Sequence, residues 1–323
     1  MSLASTFLIA DIGATHARFQ LADEGALRGD VVRLSTVAHA DAQTLLAAGR
    51  EALGETRIDA AILAVAGPRA EDGSFTLTNT GQRFAVAPCG EALGCSAAVV
   101  NDFYAQAHGV PHFKDLVPIG AGLANTEAPM AIVGAGTGLG AATLVPTKHG
   151  LRVLPSEVGH AGMALGSHLE AELWGMLAQS HEHVSWETVL SGPGLVRLYA
   201  AMCSLWGAPA QTHAPVDIVT AGVAMSDPVC HQTLETFCGL LGEAAASVAL
   251  TVCATGGIYL AGGVVRGMVD FVVSSPLRRR FDECGDLSDF ARGIPLWVVG
   301  DVEPGLVGAH RCLLADPSTG GAA

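Results

Sequence analysis

Asp102 is a carboxylate whose place in the sequence fits acid–base chemistry. It follows AAVV at residues 97–100, a short apolar run typical of a buried strand. Asn101 and Asp102 therefore stand at the carboxyl end of a predicted strand, where open parallel sheets bind ligands. A carboxylate there can act as a general base. Asn and Asp also favour helix N-caps, and a helical pattern follows, so simple capping explains these two residues equally well.

Two glycine-rich turns, one before Asp102 in the sequence and one after it, favour the catalytic interpretation. ADIGATHAR at residues 10–18 places Asp11 just before the first turn, and VGAGTGLGAA at residues 133–142 contains the second. Backbone N–H groups of such turns bind phosphate, and a carboxylate beside them can meet a metal-bound nucleotide. Asp11 could also be an ordinary turn residue, and glycine in a bare strand can mark only a bulge.

The second turn does not match the other common phosphate-binding motifs. It has no Lys for a P-loop, and Leu139 stands where GxGxxG needs its last glycine counted from Gly134. Thr137 has the place in this turn that Thr15 has in the first. We therefore interpret the two turns as one feature used twice.

A second set of polar side chains follows the second turn. Glu157 and His160 are three residues apart in LPSEVGHAG, where two glycines argue against a helix and so against a di-metal ExxH site. A loop that presents a carboxylate and an imidazole to one small polar ligand is the better interpretation, with a structural His as the alternative. Glu187 precedes a helix predicted from about Gly194 to Leu205, and a first-turn helix charge explains it equally well.

The elements that must position these residues are predicted in two similar halves. The pattern in the first half gives strands at 6–13, 17–23, 31–38 and 58–68, with a helix from Asp41 to Leu53. The second half gives a strand–turn–strand at 128–146, a helical stretch at 217–254, a strand within 255–261, a strand at 295–301 and a last helix after it. Gly262 and Gly263 open a helix where backbone can approach an adenosine or its phosphates.

Length and composition fit an α/β chain of two domains. The 323 residues exceed what one compact core usually holds, and 50% apolar residues with 40 glycines suit buried parallel strands joined by tight turns. The net charge is −14, and the longest basic run is Arg278–Arg280. This balance argues against nucleic acid or an anionic membrane as a partner.

Membrane insertion, export and zinc binding are not expected. Ala244–Val265 is uncharged and long enough for a membrane span, but four glycines interrupt its second part, so a buried helix followed by a buried strand is predicted. The N-terminal MSLASTF lacks the basic flank and cleavage site of a signal peptide, so a cytoplasmic location is expected. The eight cysteines form no CxC or CxxC pair, which favours free buried thiols and no zinc.

With these pieces in order, the sequence resembles the bacterial glucokinases, ATP-dependent enzymes of the hexokinase, Hsp70 and actin superfamily. The resemblance extends over essentially the whole chain and is carried by DIGATHAR, LAVAGP with LTNTG, VVNDF, GAGTGLG, SEVGH, HVSWETVLSGPGL, GGIYLAGGVV and a final D-x-x-PGLVGAH. It implies an α/β fold of two RNase-H-like (actin-like ATPase) domains with a catalytic cleft between them. The implied domains are a small one, residues 1–110 with 301–323, and a large one, residues 111–300.

The resemblance also implies a role for each candidate residue. Asp102 stands at the position of the catalytic base, which accepts the proton of the attacking sugar hydroxyl. The positions that hydrogen-bond the sugar are occupied by Asn101, Glu157, His160 and Glu187. The nucleotide positions are occupied by Ala10, Asp11, Ile12, Gly13, Ala14, Thr15, Gly136, Thr137, Gly138, Gly262 and Gly263, with Asp11 near Mg²⁺. The implied ligands are glucose, ATP and Mg²⁺, and the implied assembly is a homodimer.

Two residues depart from the family pattern. Ala14 stands where a second glycine is usual, and a turn that requires positive φ would be strained by it. His16 replaces a common Asn. The lack of a CxC-type zinc cluster also separates the chain from the zinc-containing ROK sugar kinases and repressors.

The leading prediction is therefore an ATP:glucose 6-phosphotransferase, with three alternatives. A kinase of the same fold for fructose, mannose or an amino sugar would use the same polar residues. A sugar-binding regulator that has lost catalysis is suggested by Ala14 and opposed by Asp102 and by the lack of an N-terminal helix-turn-helix. An actin-like or chaperone ATPase would not need the sugar-side residues.

Overall fold

The computed structural model of the protein describes residues 5–55, 57–77, 79–211, 213–301 and 303–315. The chain divides into two compact units, Met1–Lys114 with Asp301–Ala323 and Asp115–Gly300. The tail after Asp316, expected from its composition to be loose, lies outside the described residues.

The chain mixes strands with α-helices, which stand singly in the first unit and in two consecutive runs in the second. The strands are β1 (Phe7–Ile12), β2 (His16–Ala22), β3 (Leu27–Ser35), β4 (Ala60–Val65), β5 (Phe75–Thr76), β6 (Arg83–Phe84), β7 (Ser96–Asn101), β8 (Leu116–Ile119), β9 (Met130–Ala135), β10 (Leu139–Thr147), β11 (Gly150–Ser156), β12 (Gly257–Ala261) and β13 (Leu296–Val299). The α-helices are α1 (Ala42–Leu53), α2 (Val86–Leu93), α3 (Asp102–Gly109), α4 (His168–Leu177), α5 (Trp186–Val189), α6 (Gly192–Trp206), α7 (Pro215–Val223), α8 (Pro228–Val252), α9 (Gly263–Arg266), α10 (Val269–Ser274), α11 (Leu277–Asp282), α12 (Ser288–Gly293) and α13 (Pro304–Ala315).

Each unit is built on a mixed sheet with the same strand order. In the first unit the order is β3-β2-β1-β4-β7, in which β1 to β3 pair antiparallel with one another and β4 and β7 are parallel to β1. In the second unit the order is β11-β10-β9-β12-β13-β8, in which β9 to β11 are antiparallel and β12 and β13 are parallel to β9. The prediction of one architectural unit used twice is therefore confirmed, with β8 as an added edge strand.

The first sheet buries both faces. Leu8, Ala10 and Ile12 of β1 pack toward α1 and α2, whereas Ile9 packs with α3 and α13. This alternation follows the two-residue period of a strand. Helices α3 and α13 approach each other closely at Gly308, where a Cβ would overlap the Ala105 carbonyl oxygen. The close approach fixes α3, which carries Asp102 at its first position.

Two predicted strands of the first unit differ from the observed ones. The third strand begins at Leu27 and ends at Ser35, instead of covering 31–38, because Thr36 leaves the ladder and donates its N–H to the Thr15 carbonyl at 2.9 Å. The apolar pattern of 97–100 predicts full burial. Only its two alanines are buried, while Val99 and Val100 are half-buried, because β7 is the edge strand of its sheet.

The predicted helical stretch 217–254 is two helices instead of one. It breaks between α7 and α8, where Met225 has a φ of 54° and Asp227 caps α8 through the N–H groups of Val229 and Cys230. Pro228 then occupies the first turn, a position that favours helix starts. The prediction for Ala244–Val265 is confirmed, because the chain passes from helix α8 into the buried strand β12.

Helix α8 is, within the described residues, the one helix long and apolar enough to cross a membrane by length and composition. Its 18-residue apolar window is 67% buried inside the protein. Leu240 and Leu241 are fully buried in the core of the second unit. A buried core helix satisfies the same length and composition test.

His310 of α13 gives the first unit a pH-dependent stability. Burial lowers the pKa of His310, and its hydrogen bond to the Asp23 carbonyl at 2.8 Å opposes the shift only in part. Arg311 also lowers it, as it does the pKa of nearby His112. Because the unfolded chain then binds more protons, this contribution is complete above a pH of about 6.5 and is lost as the pH falls.

We expect the melting temperature to fall between pH 7.5 and pH 5 more steeply in the wild type than in His310→Gln, whose amide can still donate to the Asp23 carbonyl. The measurement is thermal unfolding followed by circular dichroism. The control is His149→Gln, which changes an exposed histidine. Equal slopes for the wild type and His310→Gln would contradict this assignment.

Candidate active site

The predicted first phosphate turn joins β1 to β2, and other residues hold its carbonyl groups. Thr36 Oγ1 donates to the Gly13 carbonyl at 2.9 Å, and Asn79 Nδ2 donates to the Ala14 carbonyl at 2.7 Å. The Thr15 carbonyl accepts from the Thr36 N–H. Within the described residues, the N–H groups of Ala14 and Thr15 have no hydrogen-bond partner. A turn with its carbonyls tied back in this way can present N–H groups to an anion.

Ala14 does not strain this turn. The described non-glycine residues with positive φ are Met225 and Cys253, so Ala14 has ordinary backbone geometry. Its side chain is 6% exposed and packs inside the unit. The expectation of strain at Ala14 is therefore wrong, because the turn closes through hydrogen bonds and needs no left-handed residue.

Asp11 lies at the end of β1 beside the start of α13. Its Oδ2 accepts from Arg18 Nη1 at 3.2 Å, and Arg18 also pairs with Glu303 at 2.9 Å. A Cβ at Gly305 would lie 2.5 Å from the carboxyl carbon of Asp11. The carboxylate thus contacts the N-terminal turn of a twelve-residue helix, where negative charge is stabilised.

Asn101 and Asp102 lie at the carboxyl edge of the same sheet. Ile12, Val65 and Asn101 are level with one another across β1, β4 and β7, so the first turn and Asp102 follow the same edge. Asn101 caps α3, since its Oδ1 accepts from the Tyr104 N–H at 3.0 Å. Asp102 Oδ1 accepts from the Phe103 N–H at 2.9 Å. The capping role belongs to Asn101.

The second predicted phosphate turn, residues 136–138, joins β9 to β10 and is held by the chain around α5. Glu187 Oε2 accepts from the Leu139 N–H at 2.8 Å, and the Gly136 carbonyl accepts from the Gly192 N–H at 2.7 Å. A Cβ at Gly138 would overlap Glu187 Oε2. Glu187 therefore lies against this turn, which the sequence alone does not predict.

Arg197 is a basic side chain close to Glu187. Its Nε donates to the Thr188 carbonyl at 2.9 Å. Burial lowers the pKa of the Arg197 guanidinium, and the Glu187 charge opposes that shift.

Glu157 and His160 lie in a loop beside the same turn. Residues Val158–His160 form a short 3₁₀ turn, and both side chains are exposed, in line with the predicted loop. A Cβ at Gly159 would overlap the Leu139 carbonyl oxygen, so this loop packs directly on the start of β10. The Ala161 carbonyl accepts from the Trp186 N–H at 3.0 Å, which joins the loop to α5.

Gly262 and Gly263 lie at the end of β12, next to β9. Ala261 pairs with Gly134, and a Cβ at Gly262 would overlap the Ala135 carbonyl oxygen. Gly262 has a φ of 96°, whereas Gly263 has open space around it. The second unit thus brings its predicted sugar-side and nucleotide-side residues together around the carboxyl end of β9.

Asn79 holds the first turn, a role that the local sequence pattern does not reveal. It lies in the LTNTG motif, and its partner Ala14 is 65 positions away. The resemblance implies that this turn binds ATP. We therefore expect Asn79→Ala to raise the KM for ATP several-fold, because the Ala14 carbonyl loses a tether worth about 0.5–1.5 kcal/mol. Steady-state kinetics at saturating glucose measure this.

The control for Asn79→Ala is Asn125→Ala, which removes a side chain that accepts from the Glu127 N–H within a loop of the second unit. We expect this control to keep the wild-type KM for ATP. An unchanged KM in Asn79→Ala would contradict the assigned role.

Among the described residues, one group has metal-ligand spacing: His213, Asp227 and Cys230, whose ligand atoms lie within 4.8 Å of one another. Asp227 Oδ1 already accepts from two N–H groups as the N-cap of α8. Burial, followed by the Asp227 charge, raises the pKa of the Cys230 thiol to about 11. Helix capping and a buried thiol account for this group without a metal.

Comparisons with known proteins identify close relatives of the whole chain. A family model described as Glucokinase matches residues 8–316. A glucokinase of Nitrobacter hamburgensis is 37% identical over 318 residues, covering 95% of this chain and 97% of that protein. The solved structure of a glucokinase from an Antarctic psychrotroph is 33% identical with a TM-score of 0.81, covering 97% of this chain and 100% of that one. The glucokinase of Balamuthia mandrillaris, solved in complex with glucose, shares the fold at 21% identity with a TM-score of 0.81, covering 97% and 94% of the two chains.

Proposed function

The chain belongs to the glucokinase family, and from this membership we propose that it transfers the γ-phosphate of ATP to the 6-hydroxyl of glucose. The observation that carries the proposal is the family match over residues 8–316, a range that contains the candidate site residues in both units. The resulting enzyme is an ATP-dependent hexose kinase. Its α/β fold agrees with that of the solved glucokinase structures.

Asp102 is proposed as the general base of the reaction. Its carboxylate would accept the proton of the 6-hydroxyl as that oxygen attacks the γ-phosphorus and the bond to ADP breaks. The rigid attachment of α3 supports this role, because Asn101 caps the helix and Gly308 allows α13 to pack closely against it. Asn101 Nδ2 donates to the Gly67 carbonyl at 3.3 Å and has a second hydrogen for a sugar hydroxyl.

Glu157, His160 and Glu187 are proposed to bind the other sugar hydroxyls. A hydroxyl donates to a carboxylate and accepts from a donor, so two carboxylates and an imidazole suit a polyol. The packing of their two segments around Leu139 supports a common role. An analogue that lacks a hydroxyl would leave one of these groups unpaired, which is how such a site discriminates.

The two glycine turns and the glycine pair of β12 are proposed to bind the nucleotide. In the first turn the relevant backbone spans Ala10 to Thr15, and the N–H groups of Ala14 and Thr15, without partners in the described residues, support phosphate binding. In the second unit the residues are Gly136, Thr137, Gly138, Gly262 and Gly263. Because Ala14 leaves the first turn unstrained, the argument for a regulator that has lost catalysis loses its motivation.

Mg²⁺ is proposed to enter with the nucleotide, near Asp11. The donor set fits, because Mg²⁺ uses one or two carboxylates together with phosphate oxygens and water, and Asp11 is a carboxylate at the end of β1, next to the first turn. When bound, the ion would neutralise charge on the phosphates. The homodimer and the cytoplasmic location remain predictions.

A panel of hexoses and phosphate donors in a coupled phosphorylation assay tests the proposed function. We expect the highest kcat/KM with glucose and ATP. A higher value with fructose, mannose or an amino sugar would reassign the substrate within the same reaction class. ATP hydrolysis that does not depend on any sugar, or glucose binding without turnover, would contradict the proposal.

A further inference from the structure

Glu187 makes a contact that binding a sugar hydroxyl does not require. Its Oε2 accepts from the Leu139 N–H at 2.8 Å, at the residue that directly follows the second turn. Helix α5 holds the carboxylate there, because a capping box between Ser185 and Thr188 fixes its start and Trp186 is 3% exposed. The carboxylate is therefore presented to the turn by a well-packed element.

Gly138 shows how closely the carboxylate approaches. A Cβ at this position would overlap Glu187 Oε2 and lie 3.1 Å from its carboxyl carbon. The φ of Gly138 is not positive, so its backbone conformation does not require glycine. The space that Gly138 leaves is filled by the Glu187 carboxylate.

The same segment of chain also holds the other end of the turn. The Gly192 N–H donates to the Gly136 carbonyl at 2.7 Å, and Ser191 Oγ donates to the Glu187 carbonyl at 3.0 Å. Residues 187–192 thus contact the turn at both Gly136 and Leu139. Gly192 fixes one end through backbone, whereas the other end depends on the orientation of one side chain.

We propose that Glu187 is a positioning residue that couples sugar binding to the shape of the phosphate turn; this inference rests on the proposed function. Oε2 of Glu187 accepts from the Leu139 N–H. Oε1 has no hydrogen bond within the described residues and can accept from a sugar hydroxyl. A hydroxyl bound there fixes the carboxylate plane, and that plane sets the direction of the bond to Leu139. The sugar thereby orders the turn before phosphate arrives. By linkage, the nucleotide must tighten sugar binding by the same factor.

Calorimetric titration of the full-length protein with a non-hydrolysable ATP analogue and Mg²⁺, without glucose and at saturating glucose, measures the coupling. For the wild type we expect glucose to lower the Kd of the analogue at least about 5-fold. Glu187→Asp keeps the charge but is one methylene shorter, so it cannot reach both partners and the factor should fall to about 1. Glu157→Asp makes the same change on a carboxylate without a hydrogen bond to the turn in the described structure. It should weaken glucose binding and keep the wild-type factor.

A second pair of variants leaves Glu187 itself unchanged. Gly138→Ala places a methyl group where the carboxylate lies, so it should reduce the coupling factor toward 1. Gly136→Ala adds the same methyl group to the same turn, where no atom lies within 4 Å. This control should retain the coupling factor, whatever its direct effect on nucleotide affinity.

Several results would count against these assignments, and they distinguish three failures: of the coupling, of the sugar role of Glu187 and of the proposed function. If the wild type shows no coupling, or if Glu187→Asp retains it, the coupling is overturned while the kinase function stands. If Glu157→Asp loses as much of the coupling as Glu187→Asp does, the proposed coupling is also overturned. If Glu187→Asp binds glucose with wild-type affinity, the sugar role of Glu187 is wrong, and the coupling with it. If the wild type does not bind glucose, the proposed function itself fails.

Discussion

Asp102→Ala is expected to lower kcat for glucose phosphorylation by about 10²–10⁴-fold, the usual contribution of a positioned general base. The fold should survive, because Asn101 caps α3 through the Tyr104 N–H and does not depend on the Asp102 side chain. Glucose affinity should change much less than kcat, since the proton moves only as the phosphate is transferred. A coupled spectrophotometric assay at saturating glucose and ATP gives kcat, and calorimetry gives glucose affinity.

Asp41→Ala is the matched control for Asp102→Ala. Asp41 is also a carboxylate at the start of a helix in the first unit, and its Oδ1 accepts from the Thr44 N–H at 2.8 Å. Losing this N-cap should lower thermal stability and leave kcat unchanged. If Asp102→Ala phosphorylates glucose at the wild-type rate, the assigned base is wrong.

The dual interpretation of Asn101 and Asp102 illustrates what local sequence can and cannot resolve. Capping and catalysis both use short polar side chains at the end of a strand, so the pattern could not choose between them. The structure assigns the capping bond to Asn101, and catalysis by Asp102 stays a prediction. Which residue caps depends on where the helix starts, and helix starts are the least certain feature of a sequence pattern.

The local pattern of apolar and turn residues was sufficient to predict the repeated unit. The hairpins at both glycine turns, the helix from residue 42 to 53 and the strand–glycine–helix passage at β12 all follow from short apolar runs and turn residues. The break before α8 could also have been predicted, because Asp227 followed by Pro228 is a helix-start signal. The break was not predicted because the apolar pattern continues on both sides of it, through α7 and α8.

Long-range contacts could not be predicted from one sequence. The bond between Asn79 and the Ala14 carbonyl joins positions 65 residues apart, and the bond between Leu139 and Glu187 joins positions 48 apart. In a sequence, a glycine-rich turn looks the same whether glycine is needed to let a ligand approach, to adopt a positive φ or to make room for a neighbouring side chain. Gly138 belongs to the last case, and its partner is visible only in the folded unit.

Gly262→Ala is expected to lower the free energy of unfolding by about 2–5 kcal/mol, the largest stability effect among these variants. Gly262 has φ 96° and ψ 155°, a region essentially restricted to glycine. A Cβ there would overlap the Ala135 carbonyl oxygen and lie 2.5 Å from its carbonyl carbon. The strain arises at Gly262 itself, whereas the overlap involves Ala135, the residue that precedes the second phosphate turn. We therefore expect nucleotide affinity to fall together with stability, measured by chemical denaturation and by titration with the ATP analogue.

Gly263→Ala distinguishes two reasons for the glycine pair at the end of β12, namely packing within the fold and close approach of the nucleotide. A methyl group on Gly263 would have no atom within 4 Å, and the φ of this residue is not positive, so alanine should leave stability near the wild-type value. Any loss of nucleotide affinity in this variant therefore reports a ligand that approaches the backbone, as the sequence predicts for both glycines. A wild-type unfolding free energy for Gly262→Ala would contradict the packing argument. A nucleotide affinity reduced only in Gly262→Ala would mean that this glycine pair supports β9 and does not contact the nucleotide at Gly263.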